Sequence, residues 1–269
     1  MRIRVGHSAD PDDAFMFWAL GAGRVDRRGL QFEQVVSDIQ TLNEWATEGR
    51  LEVTAISAAA YPWVADRYVL LPHGASMGAG YGPVVVARHP LGLAELRRAE
   101  IAVPGRLTTA FLVLRLALGD GLRVEERPFE RILEAVASGE VEAGLLIHEG
   151  QLTYRELGLH KALDLGVWWH EETGLPLPLG VNVARRDLRE RLGDVSAVLG
   201  EAIRVGLEHR EEALAYAGRF GRGIDRETVD RFVDMYVNEL TCDYGEVGRR
   251  AVEELMRRAG AGVEAEFVA

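Results

Sequence analysis

Short apolar runs alternate with stretches of helical periodicity along the first two thirds of the chain. Residues 3–5 read as a strand closed by Gly6, and residues 14–20 as an apolar helix ended by Gly21 and Gly23. Leu30, Phe32 and Val35 mark a second strand over 30–36. Asp38 then caps a helix predicted over 39–47, with Gly49 as its stop. A third short strand over 53–56 runs into the small residues Ser57-Ala58-Ala59-Ala60-Tyr61, which let a helix begin close to a sheet. The glycine-rich stretch 74–83 reads as a loop, and residues 84–87 as a strand broken by Arg88-His89-Pro90. A second series follows: a strand over 101–103, a helix from Thr108-Thr109 to about Gly119, a helix over 129–137 and an apolar run over 143–147. That run is too short for a helix and right for a buried strand. A last strand is predicted over 181–184, and from Leu188 to Ala259 the pattern is helical.

Strands alternating with helices predict an α/β protein with parallel sheet. The break at 87–90 separates two βα series, and the first is too small to fold without the C-terminal helices. The expected architecture is therefore two-lobed. Residues 1–88 plus 183–269 form one lobe, residues 89–182 form the other, and a ligand cleft lies between them. In open α/β sheets, ligands bind outside the carboxyl ends of strands.

The totals remove several classes of function. The chain has 269 residues, 48% apolar and 27% charged, with net charge -11. That charge argues against a nucleic-acid partner. No apolar run reaches membrane-spanning length and no secretory signal opens the chain, so a cytoplasmic location is expected. A single cysteine, Cys242, excludes an intrachain disulfide and a cysteine-rich metal site. Lys161 is the only lysine, which confines Schiff-base chemistry to that position.

Four places carry candidate chemistry. His148 stands directly after the 143–147 run, flanked by Glu149. It is placed as a general base, or as a loop histidine bonding backbone. Adjacent residues seldom face each other, so Glu149 is a weak orienting partner. Ser57, at a strand end and helix start, is an anion-binding hydroxyl or a simple cap. Thr108 and Thr109 offer the same two alternatives. Ser8, Asp10 and Asp12 are cap candidates for the first helix; their spacing does not continue as a calcium loop. Trp168 and Trp169 fit a core more readily than a pocket wall.

These segments, taken in order, resemble one family. Ser8 through Phe17, Asp38 through Trp45, Ile56 through Tyr61, Gly78-Ala79-Gly80-Tyr81-Gly82-Pro83, Pro104 through Ala110, Gly139 through Glu149 and Thr173 through Gly180 are similar to segments of the 1,4-dihydroxy-6-naphthoate synthase family. That family belongs to the futalosine route of menaquinone biosynthesis and has a type-2 periplasmic-binding-protein-like fold. The resemblance implies a lyase that acts on cyclic dehypoxanthine futalosine, a small carboxylate, without a cofactor or metal. It implies His148 as proton acceptor. It implies substrate contacts at Ala55, Ile56 and Ser57, at Thr109 and Ala110 with Thr108 adjacent, and near Asn43. Either a monomer or a homodimer is compatible with it.

The chain also departs from the family. Its opening motif is often Ser-Pro-Cys-Pro-Asn-Asp-Thr-Phe, against Ser8-Ala9-Asp10-Pro11-Asp12-Asp13-Ala14-Phe15 here. Asp12 replaces an asparagine and Ala14 a threonine, which makes that corner more acidic. Ala55 stands where a lysine can occur. The sister enzyme chorismate dehydratase usually opens with a Tyr-Leu-Asn type motif, absent here. A solute-binding protein for an organic anion is the third alternative.

Overall fold

The computed structural model describes residues 1–221 and 223–269. Its strands are β1 (Arg2–Ser8), β2 (Gln31–Ser37), β3 (Val53–Ser57), β4 (Tyr68–Leu70), β5 (Ser76–Gly78), β6 (Val84–Ala87), β7 (Glu100–Val103), β8 (Arg123–Glu126), β9 (Ala143–Leu146), β10 (His160–Asp164) and β11 (Leu177–Arg185). The helices are α1 (Pro11–Gly21), α2 (Ile39–Thr47), α3 (Leu93–Leu96), α4 (Thr109–Leu118), α5 (Phe129–Ser138), α6 (Gly150–Thr153), α7 (Leu165–Thr173), α8 (Leu192–Glu208), α9 (Arg210–Ala217), α10 (Arg226–Tyr236), α11 (Glu239–Cys242) and α12 (Gly245–Arg258).

Two sheets organise these elements. The first has six strands in the order β2-β1-β3-β11-β4, with β5 also paired to β11. The second has five, in the order β10-β6-β9-β7-β8. The central pairs are parallel, as expected: β1 runs with β2 and β3, and β7 with β8 and β9. Neither sheet is wholly parallel. β11 lies antiparallel to β3, β4 and β5, and β6 antiparallel to β9 and β10. The two strands that enter from the opposite lobe, β6 and β11, arrive without a crossover helix on their own sheet. An antiparallel seat needs no such helix.

This placement moves the expected lobe boundaries of 88/89 and 182/183. β6 already belongs to the second sheet from Val84, and β11 belongs to the first from Leu177. The chain therefore crosses within 79–83 and within 174–176 rather than after those strands. The first crossing packs closely against α7, where Gly82 and Gly166 face each other. A Cβ on Gly166, in the first turn of α7, would meet backbone atoms of Tyr81 and Gly82 at 2.0–2.3 Å.

Apolar faces fix the layers. α1 is buried along most of its length between the first sheet and α8 and α9, where Phe15, Phe17 and Leu20 meet Ile3, Val5, Val198 and Ile203. A second core runs through both lobes, from Ile56, Tyr61 and Val183 to Val85, Ile101 and Phe111. Trp169 is fully buried in it and donates its indole N–H to the Pro176 carbonyl, 3.1 Å. Trp169 is thus core, as expected, and Trp168, partly buried, packs against that core from the same helix. α5 closes the other face of the second sheet with Ile132 and Val136 on Val86 and Ala102.

Candidate functional site

Strand ends of both sheets meet at one cleft, which holds about 680 Å3 of space including its open mouth. The first lobe supplies the β1–α1 loop, Ala55 and Ser57 at the end of β3, Ser76 of β5, and Phe232 and Tyr236 of α10. The second lobe supplies Thr108, Thr109 and Ala110 at the start of α4, and Ile147, His148 and Gln151 after β9. Six of the expected site residues therefore line one space: Ala55, Ser57, Thr108, Thr109, Ala110 and His148. Asn43 and Ile56 do not line it. Ile56 is fully buried in the shared core. Asn43 lies one layer behind the wall, with its carboxamide bonded twice to Ser57.

His148 occupies a left-handed backbone conformation, φ 61°. For a residue with a Cβ this costs on the order of 1–2 kcal/mol, and such outliers mark sites where the surroundings force the geometry. Phe129 meets the imidazole edge-on, ring centres 4.3 Å apart. Nδ1 lies 3.1 Å from Asp10 Oδ2. Nε2 is buried and has no protein hydrogen-bond partner.

Ser57 precedes a 3-10 turn, Ala58–Trp63, but its hydroxyl does not cap that turn. The hydroxyl accepts from Asn43 Nδ2 at 3.0 Å, and the Ser57 N–H donates to Asn43 Oδ1 at 2.7 Å. With a lone pair so engaged, the hydroxyl has its proton left to offer the cleft. The two threonines divide their work. Thr108 caps α4: its hydroxyl accepts from the Phe111 N–H at 3.2 Å and donates to the Gly105 carbonyl at 2.7 Å. The Thr109 hydroxyl ties the lobes together, accepting from Ala59 N–H at 3.1 Å and donating to Leu179 O at 2.8 Å. Neither hydroxyl is thereby the natural anion donor. The first-turn N–H groups of Thr109 and Ala110, at the start of α4, have no intrahelical acceptor.

The acidic loop departs most from the simple capping expectation. Asp10 holds the cap position of α1 and its carbonyl accepts from the Ala14 N–H, 2.9 Å, but its side chain makes no cap bond. Ser8 donates its N–H to Asp13 Oδ2 at 2.6 Å. Ser76 donates its hydroxyl to Asp12 Oδ2 at 2.8 Å. Burial first, and then the neighbouring carboxylates Asp13 and Asp10, push the Asp12 carboxyl well above the usual carboxylate range. Burial also raises Asp13, opposed by nearby His7 and the Ser8 N–H. No lysine or arginine lines the cleft among the described residues. Lys161 pairs instead with Asp164 on β10, 2.6 Å. Among the described residues no group of three or more His, Cys, Asp or Glu is arranged to hold a metal ion.

Sequence reasoning missed Ser76, Gln151 and Tyr236. Tyr236 is buried and donates its hydroxyl to Gln151 Oε1 at 2.9 Å, a second contact between the lobes. Gln151 follows His148 closely and was open to notice. Nothing local marks Ser76 or Tyr236, whose relevance comes only from long-range packing.

Residues 3–261 match the family model described as menaquinone biosynthesis. A 1,4-dihydroxy-6-naphthoate synthase of Thermus thermophilus is 48% identical over 263 residues, covering 96% of this chain and 94% of that protein. A crystal structure of a protein from Archaeoglobus fulgidus superposes with a TM-score of 0.92 at 49% identity, covering 97% of each chain. At 13% identity, a Candida albicans protein with the generic periplasmic binding protein fold superposes with a TM-score of 0.68, covering all of this chain and 98% of that one.

Proposed function

This chain belongs to the menaquinone-biosynthesis family, and from that membership we propose that it is a 1,4-dihydroxy-6-naphthoate synthase, a lyase acting on cyclic dehypoxanthine futalosine. His148 is the general base, and the α4 start with Ser57 is the carboxylate-binding side. The observation that carries this reading is His148 itself. Its Nε2 is buried without a protein partner in the wall of the cleft, on a residue held at positive φ. A base placed there starts the breakdown of the spiro ring, and aromatisation of the naphthoate drives it forward.

The electrostatics support a particular division of the cleft. A ligand carboxylate avoids Asp10, Asp12 and Asp13 and is drawn to the positive end of α4. There the Thr109 and Ala110 N–H groups and the Ser57 hydroxyl supply donors without a formal cation. Such fixed donors cost no reorganisation during reaction. With Ala55 in the wall, backbone dipoles do the work that a lysine does elsewhere in the family.

The test is turnover. The purified protein is incubated with cyclic dehypoxanthine futalosine and, in parallel, with chorismate, and products are followed by chromatography. Formation of 1,4-dihydroxy-6-naphthoate from the first alone is expected. Dehydration of chorismate assigns the sister activity instead, and turnover of neither leaves an anion-binding role.

A further inference from the structure

We propose that Asp10 is a positioning residue for His148: reaching across the cleft from the opposite lobe, its carboxylate holds the imidazole in the tautomer that leaves Nε2 as proton acceptor. This rests on the reading of His148 as the base and adds what makes it one.

Asp10 precedes α1 and belongs to the first lobe, whereas His148 follows β9 in the second. Their side chains are nevertheless 3.1 Å apart and nearly shielded from solvent, at 3% and 13% exposure. A neutral imidazole has one donor and one acceptor nitrogen, and an ionised carboxylate only accepts. Nδ1 beside Asp10 Oδ2 is therefore the N–H, and Nε2 carries the lone pair. That nitrogen is the one that is buried in the cleft wall without a protein partner.

Two local departures converge on this contact. Asp10 stands where a carboxylate ordinarily caps a helix, a bond worth about 1 kcal/mol, and its side chain makes none. His148 adopts φ 61°, again at a cost of roughly 1–2 kcal/mol. Each is unfavourable within its own lobe, and together they bring the two groups into register. Phe129, edge-on to the ring, fixes its plane. The proton balance is simple. The substrate's proton moves to Nε2, the imidazole becomes imidazolium with N–H on both nitrogens, and the Asp10 carboxylate stabilises that charge without taking the proton. Because the partners come from different lobes, the base is complete only when both lobes are in this arrangement.

The experiment is NMR of the full-length protein labelled with nitrogen-15 in histidine, reading ring tautomers from long-range proton–nitrogen correlations. Signals of His148 are assigned by their loss in His148→Gln. Wild type is expected to show the Nδ1–H tautomer at His148, and Asp10→Ala to lose that preference. In the same variant kcat is expected to fall by about 10- to 100-fold, part of what a positioned base contributes, with KM within about threefold. Asp10→Asn, closer in shape, serves if the alanine variant does not fold and is expected to show the smaller loss. An Nε2–H tautomer in wild type overturns the proposal, as does an unchanged tautomer with unchanged kcat in a folded Asp10 variant. Undiminished turnover in His148→Gln strikes instead at the reading of His148 as base, because the tautomer measurement needs no turnover.

Discussion

Two helices aim their N-termini at the cleft from opposite lobes, and they are furnished in opposite ways. The start of α1 carries Asp10, Asp12 and Asp13, so its positive end is met by the protein's own carboxylates. The start of α4 carries Thr108 and Thr109 and no acid in its first turn, and its hydroxyls are committed to capping and to joining the lobes. The same backbone device thus yields an acidic side beside His148 and an anion-attracting side opposite. In the function proposed above, chemistry belongs to the first and binding to the second.

The comparison is sharpened most by His148→Ala, which removes the proposed base while leaving the α4 side intact. Its kcat is expected to fall by a factor on the order of 10² or more, measured at saturating substrate. Thr109→Val acts on the other side. It leaves the Ala59 N–H and the Leu179 carbonyl without their bonds across the lobes. A displaced α4 start is expected to raise KM by about tenfold, roughly 1.4 kcal/mol, with kcat little changed. Thr108→Ala removes a helix cap and costs about 1 kcal/mol, read as a loss of melting temperature of about 2–4 °C.

The smallest effect is on pH dependence. Asp12 is raised in the folded protein by burial and by its carboxylate neighbours. The folded state therefore binds this proton more tightly than the unfolded one, and stability falls as pH climbs from the ordinary carboxylate value of about 4 towards the raised one. Asp12→Asn removes that loss. It is expected to melt a few degrees higher than wild type at neutral pH, with the advantage shrinking to nothing near pH 4. An equal advantage at both pH values refutes the assignment of a raised Asp12.

Much of this arrangement was legible in the chain. The helix over 39–47, the strand over 84–87 and the exit of His148 from a buried strand follow from periodicity and punctuation, which are local. β8 and β10 were not legible, because edge strands such as Arg123–Glu126 and His160–Asp164 are polar and lack an alternating apolar face. The direction of β6 and β11 was hidden for a different reason: it depends on which lobe a strand joins, not on its own residues. The same limit explains the site. Ser57, Thr109 and His148 sit at strand or helix ends that sequence marks, whereas Asn43 behind Ser57 and Asp10 beside His148 acquire their roles from contacts 14 and 138 positions apart in the chain, the latter by the difference of the two residue numbers. A capping pattern at Asp10 pointed to the helix, and the folded chain turned that side chain to the histidine.

The division between a reacting side and a binding side is tested most directly by one paired measurement: substrate affinity by calorimetry, with turnover, for His148→Ala and Thr109→Val beside wild type. The expected result is an affinity within a few-fold of wild type but lost turnover in the first variant, and weakened affinity with near-normal maximal turnover in the second. Undiminished turnover in folded His148→Ala contradicts the account.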